Sequence, residues 1–229
     1  MSGMRQVSVF IVAVLLCAFP GRSHGYQEAP ALAERVARGE LPPVDERLPE
    51  DPAVVTPIHA IGKYGGVWRR VSMGRTDIHL SARLGYEPLV RWDQTGVNAV
   101  PGLAKSWEVL DEGRTYVFHL RRGLKWSDGH PLTSEDFAFY FEDVLSNKDL
   151  TPVYPSWLAL DGTPPELSTP DPETIVFRFP RPYGVFLEML CFRGMWTLAP
   201  KHYLKQFHPK YTPSADIDRQ VKERGLSKW

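Results

Sequence analysis

Three acids, Asp128, Glu135 and Asp136, fall within nine residues, and seven tryptophans stand at positions 68, 92, 107, 126, 157, 196 and 229. Paired carboxylates hydrolyse a glycosidic bond when one keeps a raised pKa and faces the other across a sugar ring. Tryptophans can serve as stacking plates for sugars or peptides. Each group also has a simpler structural role. Asp128-Gly129 reads as a turn, Thr133 with Asp136 three residues on reads as an N-cap box, and Glu135 complements the helix dipole. Most of the tryptophans read as core plugs. Trp157 and its neighbour Tyr154 differ, because they sit in the proline-flanked stretch 151–160, and loops held on a scaffold carry function disproportionately.

Other chemistry finds no support. The seven histidines include no pair four apart around a glutamate, and no cysteines stand at metal-ligand spacing, so no metal site is predicted. Gly-x-Ser-x-Gly, the phosphate-cradling loops and the dinucleotide fingerprint are all absent. The expectation is therefore no catalytic residue, no cofactor and no enzyme. With 27 Lys+Arg against 27 Asp+Glu and no basic run, nucleic acid is excluded as a partner, since phosphate binding needs clustered cations.

The elements that must position these residues follow from periodicity. Residues 26–60 hold six prolines and read as extended chain, with a helix only over 29–39. Gly62, Gly65 and Gly66 lead into a short strand at Val67–Val71, and apolar spacing predicts a helix from Ile78 to near Pro88. Tyr116 to Arg121 alternates as a half-buried strand, with Tyr116, Phe118 and Leu120 inward and Val117, His119 and Arg121 outward. Thr174 to Phe179 alternates likewise. Between them, Phe137, Phe141, Val144 and Leu145 form the apolar stripe of the helix capped by Thr133. Further helices are predicted at 184–190, 201–207 and in the tail from Ser214, with Gly225 as its stop. Interspersed strands and helices without repeats make the class mixed α/β.

Residues 1–25 carry a short apolar core from Val7 to Phe19, too short to span a bilayer, and Ser23-His24-Gly25 before Tyr26. This is the pattern of a signal peptide cleaved near Gly25. The bulky Leu16 before Cys17 argues against lipoprotein anchoring there. Removal of residues 1–25 takes Arg5, Arg22 and Cys17 and leaves 25 cations against 27 anions, with Cys191 alone and unable to form an intrachain disulfide.

Several motifs then fall in a telling order. They are Glu87-Pro88-Leu89-Val90, the run Val100 to Glu108, the run Thr115 to Asp136 through Trp126-Ser127-Asp128-Gly129, Asp171 to Phe177, and Ala199-Pro200-Lys201-His202-Tyr203. From Gly65 to about Tyr203 the chain resembles the family 5 extracellular solute-binding proteins of bacterial ABC transporters, the oligopeptide- and dipeptide-binding group.

The resemblance implies a type II periplasmic-binding-protein fold whose two lobes close on a ligand with no covalent step. The partners it implies are an oligopeptide or other small solute and an ABC permease complex in the inner membrane, and the location is periplasmic or extracellular. It covers only the first part of the family's length. The expectation is an incomplete N-terminal lobe at 61–229 after the proline-rich segment 26–60, a truncated chain with impaired ligand capture and an uncovered apolar face. By position, the resemblance points to Ser72, Met73 and Tyr154 as residues bordering the cleft, with Trp157 added from its loop. Two readings outside transport stay open, a small secreted glycoside hydrolase using Asp128 and Glu135, and an aromatic-rich binding module that works alone.

Overall fold

The computed structural model describes residues 25–67, 69, 71, 74 and 85–229. The signal-peptide segment, Ser72, Met73, Trp68, and most of the helix expected from Ile78 lie outside the described residues. Of the strand expected at Val67–Val71, residues 67, 69 and 71 are described; they carry no strand structure, and Val67 and Val71 are exposed.

In chain order the elements are α1 (Pro30–Ala37), α2 (Val44–Arg47), β1 (Val90–Trp92), β2 (Ala99–Pro101), β3 (Ala104–Leu110), β4 (Thr115–Leu120), α3 (Ser134–Phe139) continuing into a π-helical turn (Tyr140–Leu145), β5 (Glu166–Asp171), β6 (Thr174–Arg178), α4 (Phe186–Arg193), α5 (Lys201–Leu204) and α6 (Ser214–Glu223). Four strands form one antiparallel sheet in the order β3-β4-β6-β5, and β1 pairs with β2 in a small separate ribbon.

The alternation of β4 and β6 decides where the core sits. Tyr116 pairs with Phe177 and Phe118 with Ile175, so one face of the sheet presents Tyr116, Phe118, Leu120, Ile175 and Phe177, all buried. Against it pack Phe137, Phe141 and Leu145 from α3 and its π turn, and Phe186 and Leu190 from α4. Phe186 is the hub. Its ring lies 4.7 to 6.4 Å from those of Tyr116, Phe118, Phe177, Phe179 and Tyr183, in tilted or edge-to-face arrangements that suit aromatic quadrupoles.

Arg121 departs from its expected outward position. It is only 8% exposed. Its guanidinium donates from Nε to the Gly102 carbonyl (2.8 Å) and from Nη1 to the Asp51 carbonyl (2.6 Å). The proline-rich segment is thus a strap held by side chains gripping its backbone. Lys125 Nζ donates to the Glu46 carbonyl and Gln94 Nε2 to the Thr56 carbonyl, while Glu50 N–H meets the Arg122 carbonyl at 3.0 Å. The strap also carries the short helix α2, which its prolines did not suggest.

One glycine locks the ribbon to the sheet. Leu103 N–H donates to the Pro88 carbonyl (2.9 Å), and Gly102 and Ala104 N–H both donate to the Leu89 carbonyl at 3.1 Å. A β-carbon on Gly102 would stand 2.3 Å from the Pro88 carbonyl oxygen, so only glycine fits without moving backbone.

Two outcomes follow for stability. Phe186→Ala, which empties the aromatic hub, is expected to cost about 3–5 kcal/mol by urea denaturation. Gly102→Ala is expected to destabilise as well and to weaken hydrogen-exchange protection first at Leu103 and Ala104.

Candidate functional site

Of the four residues expected at a ligand, Tyr154 and Trp157 are described. Their loop is pinned at both ends. Thr151 donates from its hydroxyl to the Val144 carbonyl (2.8 Å), and Leu160 and Thr163 exchange two backbone hydrogen bonds (2.9 and 2.8 Å). Between them a single 3-10 turn, Ser156–Leu158, buries Leu158 and half-buries Trp157. Tyr183 fastens this turn to the sheet. Its hydroxyl donates to the Trp157 carbonyl (2.7 Å), and its own carbonyl accepts from the Tyr116 hydroxyl (2.6 Å). Tyr154 and Trp157 both pack against the aromatic core, so the structure brings them to one side of it.

The chemistry available there is recognition. Burial, with the neighbouring Tyr140, pushes the Tyr154 phenol up to about 12, so it stays protonated and can donate a hydrogen bond. Cys191, half-buried on α4, is pushed up to about 11 by burial and by the Glu188 charge, and a protonated thiol is a poor nucleophile. Among the described residues, no group of three or more His, Cys, Asp or Glu side chains could hold a metal ion.

The acids expected at a rival hydrolytic site are occupied structurally. Asp128 accepts from His130 N–H (3.0 Å) and meets His202 Nε2 at 2.7 Å. Glu135 accepts from Lys201 Nζ at 2.9 Å. The hydrogen bonds from His202 and from Lys201 hold both carboxyls below their ordinary range, the opposite of what a general acid needs. Asp136 is buried and completes the capping box with Thr133. It accepts from Thr133 N–H (3.0 Å), Trp126 Nε1 (3.1 Å) and Lys201 N–H (3.0 Å). The geometry favours the turn-and-cap reading of this cluster.

A cleft of about 580 Å³ lies elsewhere, between the strap at Ala53–Thr56 and the ribbon residues Arg91, Trp92 and Gln94, with Arg121 at its base. Nothing in the local sequence marks it. Its walls come from segments about 40 residues apart, and Arg121 had read as a solvent-facing strand residue.

This sheet, helix order and ribbon have known counterparts. The profile described as "Bacterial extracellular solute-binding proteins, family 5 Middle" matches residues 98–218. The chain belongs to this family. Among its solved relatives, an oligopeptide-binding protein OppA is 48% identical with a TM-score of 0.77, over 85% of this chain and 30% of that one. The periplasmic binding protein MelB of Agrobacterium fabrum, solved with stachyose, is 28% identical with a TM-score of 0.57, over 82% of this chain and 31% of that one. A periplasmic alpha-galactoside-binding protein of Rhizobium meliloti is 31% identical over 207 residues, which is 81% of this chain and 30% of that protein.

The family 5 chain described here therefore spans about 30% of the length of these relatives. Its fold is the mixed α/β periplasmic-binding-protein fold expected from the motifs, over part of a lobe. The relatives are solute-binding proteins and not enzymes.

The depressed carboxyls give a pH signature. A carboxylate held low in the folded state stabilises fully above its unfolded pKa, and that contribution is lost as the pH falls through the folded value. The thermal midpoint is expected to fall between about pH 5 and pH 3. The Asp128→Asn, Glu135→Gln double variant should flatten that fall, as differential scanning calorimetry would read.

Proposed function

We propose that this chain is part of the solute-capturing component of a bacterial ABC importer for peptides or related small solutes, which hands its cargo to a permease in the inner membrane. The likeness to oligopeptide-binding OppA is the observation that carries this reading. Residues 1–25 direct export and are cleaved near Gly25, with no lipid anchor at Cys17. Residues 26–60 strap the domain, and 61–229 supply one wall of the cleft.

Ser72, Met73, Tyr154 and Trp157 make the solute contacts on that wall. A peptide held through its backbone needs rigid plates and a few donors, and a phenol kept protonated beside a half-buried indole supplies both. The loop's fixed ends mean that little conformational entropy is lost on binding.

Capture by this chain is expected to be weak, since it contributes one wall. Titration with a mixture of short peptides should shift the NMR signals of the Tyr154 ring and the Trp157 indole, and Trp157→Leu should weaken binding about tenfold. Unchanged signals at both rings up to millimolar peptide would overturn the assignment.

A further inference from the structure

A second, smaller cleft of about 270 Å³ opens where the chain enters β1. Its base is set by close packing. Gly194 at the end of α4 lets that turn approach Pro88, since a β-carbon there would lie 3.5 Å from Pro88 Cβ and 3.3 Å from the Leu190 side chain. The walls hold Tyr86, Trp92, Phe192 and Met195, with Glu87 and Arg91 as the charged members. Trp196 stands beside Tyr86, ring centroids 5.6 Å apart and tilted by 41°.

Two features of this cleft are unusual together. Three large rings at one rim remain open to solvent, Tyr86 at 52%, Phe192 at 47% and Trp196 at 38%. Clustered exposed aromatic surface marks binding sites more often than scattered apolar residues do. The charged pair is also loosely joined. Arg91 Nε lies 3.6 Å from Glu87 Oε1, beyond hydrogen-bond length, so acceptors and donors both stay available.

We propose that this cleft binds a neutral polyhydroxylated ring, a hexopyranoside. A carboxylate only accepts and a guanidinium only donates, whereas a hydroxyl does both. Adjacent ring hydroxyls can therefore donate to Glu87 and accept from Arg91 at once, while the apolar C–H face of the ring packs on Tyr86 and Trp196. The pair has no net charge, so neither an anion nor a cation gains from it alone. A zwitterionic amino acid would satisfy both groups only by desolvating two charges of its own. Partial burial lifts the Glu87 carboxyl above its ordinary range against the pull of Arg91 and Arg121, a sign that water is already thinned there and that a hydrogen bond to it counts for more. This site is separate from Tyr154 and Trp157 and stands independently of the peptide reading.

Saturation-transfer NMR on the 229-residue chain, with methyl α-galactopyranoside as the probe, tests it. Transfer is expected to be strongest at the ring C–H protons. Trp196→Leu, at a surface residue whose loss should leave the fold intact, should weaken binding about tenfold, and Glu87→Gln should weaken it as well. Tyr203→Leu, an exposed ring elsewhere, should leave it unchanged. Absence of transfer at millimolar probe, binding retained in both Trp196→Leu and Glu87→Gln, or displacement of the glycoside by free phenylalanine at lower concentration would each overturn the proposal.

Discussion

The buried carboxylate of Asp136 holds together parts of the chain that nothing else joins so directly. It accepts hydrogen bonds from the Thr133 and Lys201 backbone and from the Trp126 indole, and its own carbonyl receives Ala199 N–H at 3.3 Å. A buried ion is tolerable only when its lone pairs are filled. Here three donors from three segments fill them, so the start of α3, the Trp126 hairpin and the entry to α5 must arrive together. The orientation of α3 then fixes which of its faces meets β4 and β6, and the aromatic cluster around Phe186 closes over the result.

Much of this was readable in the residues. Tyr116, Phe118 and Leu120 alternate with Val117 and His119 because only one face of β4 is buried, and Thr133 with Asp136 announces a helix start through capping chemistry that acts within one turn. The tail helix and the short helices near 190 and 203 showed in their spacing for the same reason. What escaped was set by distant pairing. β3 lies on the edge of the sheet, with polar or charged residues at Lys105, Ser106 and Glu108, so its membership follows from its register with β4 and not from its own pattern. β1 and β2 are three residues each, too short to show a period. Arg121 looked like the outward end of a strand because its acceptors, at Gly102 and Asp51, belong to segments 19 and 70 residues away.

The candidate site divides in the same way. Tyr154 and Trp157 were legible because prolines flank their loop. The rims around Arg91 and Trp92 were not, since each is assembled from stretches with unremarkable composition. The sheet itself is open at both ends, with β3 and β5 each paired on one side only. Lys105 on β3 and Pro170 on β5 are the residue types that discourage another strand from joining such an edge.

The π-helical turn at Tyr140–Leu145 has a consequence for how this chain tolerates length changes. It places Asp143 inward, where Lys210 Nζ reaches its carboxylate at 2.6 Å, the Tyr211 hydroxyl donates to it, and His208 donates to its carbonyl at 3.1 Å. A π turn holds one residue more than the α-helical path it interrupts. Loss of a single residue there would let the helix continue regularly and rotate everything after it by about 100°. Asp143 would then turn from its partners while Phe141 and Leu145 left the sheet, so this short stretch forbids deletions that the loop at 151–160, with its ends tied independently, could absorb.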